Sequence, residues 1–242
     1  MRLAICVATM REGKLPGEIV TWKQESTYWP PMEVYEQHNT KENNLGVVGS
    51  YQELYKQSKE EVLVFAHDDV TMRERGWNER VLKEFEDERV AVAGFGGAEW
   101  HGTDDLYKRP YQLSNLRRGG YGSNVDDAEV HGERFTGSKD VAVLDGFALC
   151  VRRSFLDRIG GWSLVARGCD FYCYDYAICA LAHRYGYRIR LVGVRCHHLG
   201  GRTSTQGVEG VTGQEEYDKS HRWFYEEFRD VMPWKVNGTG GS

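Results

Sequence analysis

The feature that most constrains this chain is the stretch VLVFAHDDV at residues 62–70. An apolar run rich in valine and phenylalanine predicts a strand buried on both faces. Ionised carboxylates cannot lie in an apolar interior, so Asp68 and Asp69 must lie where this strand leaves the core. In open α/β sheets, the cleft at the carboxyl ends of the strands binds ligands. Adjacent carboxylates there suit a hard divalent cation whose coordination a phosphate-bearing substrate completes, although an acidic turn without a ligand is the alternative.

Strands and helices alternate around this stretch. The predicted strands of the first half are residues 3–9, 32–37, 62–65 and 90–95. Pro16 is expected to open a short helix that extends to Trp22, and apolar residues recur at helical spacing in the other two connecting segments. This β-α-β-α-β-α-β order predicts an α/β fold with a mostly parallel sheet and helices on both faces.

The alternation stops in the second half. Residues 96–140 show little periodicity, and such a long irregular segment in a compact domain is expected to form much of a substrate pocket. Residues 141–151 and 187–196 predict two more strands, and residues 174–185 and 214–231 predict helices.

Acidic or histidine side chains follow three of the predicted strands and begin one helix. They are Asp68 with Asp69, Asp145, His197 with His198, and Asp175. Two carboxylates with an imidazole form a mixed oxygen and nitrogen site that suits Mn²⁺, or Mg²⁺ with less nitrogen. The cation would stabilise charge on a phosphate leaving group, and a separate carboxylate would act as general base. Because the chain has no P-loop, no GxSxG and no GxGxxG after the first strand, phosphate binding falls to the metal.

Composition narrows the functional classes. The chain has 242 residues, enough for one good core, and its net charge of −5 argues against extensive nucleic-acid binding. No apolar run approaches the roughly 18 residues of a membrane span, so we expect no integral membrane segment. Without paired CxxC knuckles, Cys169, Cys173, Cys179 and His183 are expected not to form a zinc site. Six cysteines as buried free thiols favour a reducing, cytoplasmic location.

The order of these segments resembles the family 2-like branch of the GT-A fold glycosyltransferases, which are DxD-type and metal-dependent. The matching motifs are HDDV at 67–70, VLDGF at 143–147, GGW at 160–162, FYCYDYAIC at 171–179, YGYR at 185–188 and HHLGG at 197–201. HDDV is similar to the DxD region, and HHLGG is similar to the C-terminal metal histidine and glycine-rich loop. The resemblance extends from about residue 3 to residue 205.

The resemblance implies a single GT-A domain over residues 1–236, followed by a flexible tail at 237–242. Its donor-binding half would span about residues 1–97, its irregular acceptor half about 98–213, and a terminal helix 214–231. The family implies a nucleotide-diphosphate sugar donor, with UDP-sugars the first expectation, Mn²⁺ or Mg²⁺ on the diphosphate, and sugar transfer to an acceptor hydroxyl with inversion.

The resemblance also assigns roles at the metal and the reacting centre. Asp69 would bind the metal with Asp68 beside it, and either His197 or His198 would be the third protein ligand. Asp175 falls where the family has its catalytic base. Asp145 would contact the acceptor or the transferred sugar, and it remains the alternative base.

On the donor side, Thr9 and Glu36 fall where the nucleoside is usually held, and His67 and Asp68 adjoin the donor. His67 departs from the family pattern because many members have an acid at that position. Arg202, beside the glycine-rich stretch, is a candidate clamp for the diphosphate.

Two other functional classes stay open. One is a nucleotidyltransferase acting on a sugar phosphate, which would usually need a glycine-rich phosphate loop near the first strand. The other is an inactive sugar- or nucleotide-binding module of the same fold. The acceptor could be a glycan, a protein side chain or a modified nucleic-acid base; a lipid-linked sugar is less favoured because the sequence shows no membrane anchor.

Overall fold

A computed structural model describes residues 1–11, 15–27, 32–101, 117–122, 133–199, 213–232 and 234–236. The strands are β1 Leu3–Thr9, β2 Glu33–His38, β3 Val62–His67, β4 Val70–Met72, β5 Val90–Gly94, β6 Gly96–His101, β7 Arg117–Gly122, β8 Glu133–Arg134, β9 Ser138–Asp140, β10 Val143–Leu144, β11 Ala148–Arg152, β12 Arg188–Val192, β13 Cys196–His198 and β14 Trp234–Lys235. The helices are α1 Gly17–Gln24, α2 Gly46–Gln57, α3 Trp77–Glu84, α4 Arg153–Ile159, α5 Tyr174–Arg184 and α6 Gln214–Glu227.

The main sheet has seven strands in the order β2-β1-β3-β11-β5-β12-β9. β2, β1, β3, β5 and β12 run parallel, whereas β11 and β9 run antiparallel to them. In this register Thr9 lies opposite His38, and Ala8 lies opposite His67. The carboxyl ends of β1, β2 and β3 therefore meet at one edge of the sheet. The predicted α/β fold with a mostly parallel sheet is confirmed.

Two cores cover the two faces of this sheet, as the residues of β3 illustrate. Leu63 and Phe65 pack on the face that α2, α4, α5 and α6 cover. Val62 and Val64 point to the opposite face and join Trp22 of α1 and Trp77 of α3. Alternate residues of a strand point to opposite faces, so each apolar residue of β3 contributes to one core or the other, with each buried side chain stabilising the fold by about 1.5–3 kcal/mol.

The expectation of an irregular segment at 96–140 is wrong over its described parts. β6 pairs antiparallel with β7 and β10 and forms part of a second sheet, which β8 and β14 extend. The β6 sequence GGAEWH does not alternate between apolar and polar residues. Its glycines are there because neighbouring chain segments pack too closely to leave room for a side chain. A Cβ at Gly97 would lie 2.4 Å from the carbonyl oxygen of Val143. Backbone approach of this kind leaves no periodic signal in the sequence.

Three predicted elements are shorter or divided. The strand expected at 141–151 breaks into β10 and β11 at the turn that contains Asp145 and Gly146. The strand expected at 187–196 divides into β12 and β13, because β13 leaves the main sheet to pair with β4. The terminal helix α6 ends at Glu227 instead of residue 231. Among the described residues, no helix has the length and apolarity needed to cross a bilayer.

Candidate active site

The candidate site begins where β3 ends. The chain turns at Asp68 and Asp69 and continues into β4, which pairs antiparallel with β13. In this pairing His198 lies opposite Val70, and the backbone N–H of Leu199 donates to the carbonyl oxygen of Asp69 at 3.3 Å. The β4–β13 ladder therefore carries a histidine from the far end of the chain to the acidic turn.

His67, Asp69 and His198, here called the histidine cluster, converge on one point. His198 Nε2 lies 3.3 Å from Asp69 Oδ1 and 3.3 Å from His67 Nδ1. One ligand atom from each residue lies within 4.8 Å of the other two, and no other group of three such residues occurs in the described chain. Metal–ligand bonds of about 2.1 Å produce separations of this size. Two imidazole nitrogens and one carboxylate oxygen suit Mn²⁺ and leave coordination positions for substrate oxygens.

The protonation states of the histidine cluster also fit a metal site. Burial, together with the neighbouring His198, lowers the pKa of His67 to about 4, so the imidazole is neutral near pH 7. Burial raises the pKa of Asp69, but the hydrogen bond and charge of His198 outweigh this effect, and the net pKa is lowered. A neutral imidazole and an ionised carboxylate are the forms that bind metal ions.

Asp68 points to different partners. Its Oδ2 accepts a hydrogen bond from the Thr9 hydroxyl at 2.5 Å and lies 3.3 Å from Arg11 Nε. These three residues, here called the Asp68 group, lie outside the histidine cluster. Arg11 also pairs with Glu18 at 3.0 Å. A metal-binding role for Asp68 stays a prediction, since its carboxylate already has a cation and a hydroxyl as partners.

The other predicted donor and metal residues have separate positions. Glu36 Oε2 lies 3.2 Å from His38 Nε2 at the end of β2, next to Thr9. His197 lies opposite Thr71 in the β4–β13 ladder and is not in the histidine cluster. Arg202 lies outside the described residues.

Asp145 and Asp175 meet at the turn between β10 and β11. The backbone N–H of Asp145 donates to the carbonyl oxygen of Gly96 at 2.8 Å, which fixes the turn to β6. Asp175, in the first turn of α5, accepts a hydrogen bond at Oδ2 from the Gly146 N–H at 3.1 Å. Both carboxylates line one cavity of about 190 Å³ together with His67. The structure thus brings the two predicted base candidates to the edge of the histidine cluster.

Aromatic side chains form the remaining wall of this cavity. They include Phe171, Tyr172, Tyr174, Tyr176, Tyr217 and His221. The ring of Tyr217 on α6 lies 5.2 Å from that of Tyr172 and 4.0 Å from that of His221. Tyr217 and His221 are four residues apart on α6, and this helical spacing is the sequence signal that could have indicated their shared face. Cys173, which precedes α5, has a left-handed conformation with φ of 64°, a strained conformation of the kind that clusters at functional sites.

A sequence profile of the family described as "Glycosyltransferase like family" matches residues 29–228. The chain belongs to this glycosyltransferase family. A search of curated proteins finds no match. The predicted resemblance to glycosyltransferases is confirmed. The match includes most of the chain and all three residues of the histidine cluster.

Two solved structures share the fold of this glycosyltransferase. The mannosyltransferase PcManGT from Pyrobaculum calidifontis, in complex with GDP-Man and Mn²⁺, has a TM-score of 0.53 at 13% identity, over 93% of this chain and 69% of that chain. A Drosophila β-1,4-galactosyltransferase 7 mutant, in complex with manganese, UDP-Gal and xylobiose, has a TM-score of 0.51 at 10% identity, over 89% of this chain and 79% of that chain. Both are GT-A glycosyltransferases, which confirms the predicted GT-A fold.

Proposed function

We propose that this protein is a metal-dependent glycosyltransferase that moves a sugar from a nucleotide-diphosphate sugar to an acceptor hydroxyl with inversion. The observation that carries the proposal is the histidine cluster at the carboxyl edge of the parallel strands, adjoining a cavity that holds Asp145 and Asp175. Two proteins of the same fold were determined with a nucleotide sugar and manganese, which supports this choice of donor and metal.

His67, Asp69 and His198 would hold Mn²⁺, and the bound ion would neutralise the negative charge that develops on the departing diphosphate. Mg²⁺ is the less suitable ion for a site with two imidazoles, because it prefers oxygen ligands. Thr9, Asp68 and Glu36 lie at the carboxyl ends of β1 to β3, where they would face the nucleoside of the donor. UDP-sugars are the first donors to test.

Asp175 is our candidate for the general base. Its carboxylate would take the proton of the acceptor hydroxyl while that oxygen bonds to the anomeric carbon and the bond to the diphosphate oxygen breaks. The N–H groups of Gly146 and Tyr176 donate to the two carboxylate oxygens of Asp175 and hold the carboxylate in place. Asp145 would orient the acceptor or the transferred sugar, and it is the alternative base.

The proposal can be tested with a panel of nucleotide sugars in the presence of Mn²⁺. We expect slow release of nucleoside diphosphate from one donor, with water as the acceptor, and release of the sugar as the anomer opposite to that in the donor. Proton NMR, recorded before the sugar mutarotates, identifies that anomer. Retention of configuration would contradict the inverting mechanism.

Substitution of the base sharpens this test. Asp175→Asn should lower the turnover rate by about 10²–10⁴-fold with donor affinity unchanged, because only proton transfer is removed. The matched control is Asp157→Asn on α4. The Asp157 carboxylate lies outside the cavity lining and accepts a hydrogen bond from the Tyr55 hydroxyl at 2.6 Å.

A near-normal rate for Asp175→Asn would shift the base to Asp145. Nucleotide transfer to a sugar phosphate with pyrophosphate release would identify a nucleotidyltransferase, and donor binding without turnover would identify a binding module.

A further inference from the structure

The side chain of Tyr174 contacts one member of the histidine cluster, His67. Its hydroxyl lies 2.6 Å from His67 Nε2, the ring nitrogen that faces away from His198. The same hydroxyl lies 3.1 Å from the carbonyl oxygen of Gly146. Tyr174 is buried, with 5% of its surface exposed.

The directions of these hydrogen bonds follow from the chemistry of the partners. The carbonyl oxygen of Gly146 can only accept a hydrogen bond, and the Tyr174 hydroxyl has one proton to donate. Both contacts are satisfied when that proton goes to Gly146 and His67 Nε2–H donates to the hydroxyl oxygen, which also interacts with the Tyr51 hydroxyl. The opposite arrangement, in which the hydroxyl donates to His67 Nε2, would take this donor away from the Gly146 carbonyl. The proton of the neutral imidazole is thereby held on Nε2, and His67 Nδ1 keeps an unprotonated lone pair directed at His198 and Asp69.

Glycine at position 146 allows Tyr174 to approach so closely. A Cβ on Gly146 would lie 2.5 Å from the Tyr174 hydroxyl oxygen and 2.7 Å from the carbon that bears it. The backbone N–H of His67 also donates to the carbonyl oxygen of Phe147 at 2.9 Å. The turn at 145–147 therefore fixes both the backbone of His67 and the phenol that contacts its ring.

We propose that Tyr174 is a positioning residue that holds His67 in the tautomer with Nδ1 free, so that His67 acts as a metal ligand beside Asp69 and His198. This inference rests on the metal site of the proposed function. Second partners of this kind orient ligand histidines, and their loss typically weakens metal binding 10–100-fold. The role rests on the contact between Tyr174 and His67 in this chain.

The first test uses the metal-free protein. Long-range ¹H–¹⁵N NMR spectra of the histidine rings report which nitrogen carries the proton. We expect His67 to be protonated on Nε2 in the wild type. In Tyr174→Phe that nitrogen loses its acceptor, and the proton should move to Nδ1, where it can bond to His198 Nε2. An unchanged tautomer in Tyr174→Phe would overturn the proposal whether or not the protein binds metal.

The second test is a double-mutant cycle on Mn²⁺ affinity, measured by electron paramagnetic resonance of the free ion. Tyr174→Phe should weaken binding about 10–100-fold in the wild-type background and less than about threefold in His67→Ala, which has no ring to position. The matched control is Tyr225→Phe, which removes a buried hydroxyl that has no hydrogen-bond partner among the described residues. It should change the affinity less than twofold.

The outcomes separate the two proposals. Equal losses in both backgrounds would mean that Tyr174 acts only through packing, which overturns the positioning role and leaves the metal site intact. Unchanged affinity in His67→Ala would remove His67 from the metal site and the positioning role with it. If Tyr174→Phe unfolds, Gly146→Ala is the substitute, because its Cβ displaces the same phenol and should reproduce the background-dependent loss.

Discussion

The Asp68 group and the histidine cluster lie on either side of the turn at Asp68 and Asp69, and they differ in the partners that their carboxylates have. In the Asp68 group, a carboxylate already has a guanidinium and a hydroxyl as partners. In the histidine cluster, the neutral imidazole of His67, the imidazole of His198 and the carboxylate of Asp69 lie close enough together to hold one metal ion. Adjacent aspartates thus have different chemistry because the turn sends one toward β1 and the other toward β13. A pair of acids in a sequence need not form one site.

The largest expected effect separates the two aspartates. Asp69→Asn should weaken Mn²⁺ binding at least about 100-fold and lower the transfer rate about 10³-fold, because it removes the only carboxylate of the histidine cluster. Asp68→Asn should change Mn²⁺ affinity less than about threefold, since its partners are Thr9 and Arg11. Titration calorimetry with Mn²⁺ measures both. Equal losses for the two variants would show that the turn rearranges and that both acids bind the metal.

The next effect separates the two histidines of β13. His198→Ala should weaken Mn²⁺ binding about 30–100-fold, whereas His197→Ala should change it by no more than about threefold. The reason is the β4–β13 register, which points consecutive side chains to opposite faces. The same calorimetric titration tests this pair. A larger loss for His197→Ala would contradict the register.

A pH experiment tests how a buried histidine outside the metal site contributes to the acid sensitivity of the fold. Burial lowers the pKa of His183 to about 4; its Nε2 donates to the carbonyl oxygen of Ala142 at 2.6 Å, and Nδ1 has no partner among the described residues. The unfolded state binds the extra proton first, so His183 alone should contribute a loss of stability of about 2–3 kcal/mol as the pH drops from about 6.5 to 4, in addition to the loss from His67, which titrates over the same range.

Denaturant unfolding of the metal-free protein at several pH values measures this loss. His183→Gln keeps a donor for Ala142 but does not titrate, so its unfolding free energy should depend less steeply on pH than that of the wild type. The slopes are compared instead of the absolute values, because the substitution also removes the ring stacked on Trp234. Identical slopes would exclude His183 as the source of the acid sensitivity.

The smallest effect tests the Asp68 group alone. Arg11→Met removes the partly exposed cation that pairs with Asp68 and Glu18. Surface ion pairs contribute little, so we expect a loss of stability of about 0.5–1 kcal/mol. Mn²⁺ affinity should stay within twofold of the wild type. A tenfold change in that affinity would mean that the Asp68 group and the histidine cluster act as one site.

Much of the first half of the fold followed from local sequence patterns. Apolar residues at strand and helix spacing identified β1, β3 and β5 and the helices between them, because burial on a sheet imposes a short period on the chain. β6 was missed because glycine at position 97 is required by the close approach of the β10 backbone, which is distant in sequence. The division of 187–196 was missed because β13 exists only through its pairing with β4.

For the candidate site, the sequence by itself determined which kinds of side chain are available. It identified Asp69, Asp145, Asp175 and the histidine pair as candidates, because carboxylates and imidazoles at the ends of buried strands must emerge in a cleft. Which of them meet was decided by tertiary structure alone. The register of β4 and β13 places His198 in the cluster, and the packing of Tyr174 against Gly146 places the phenol beside His67. Both contacts join atoms that are close in space and far apart along the chain, so local sequence patterns do not report them.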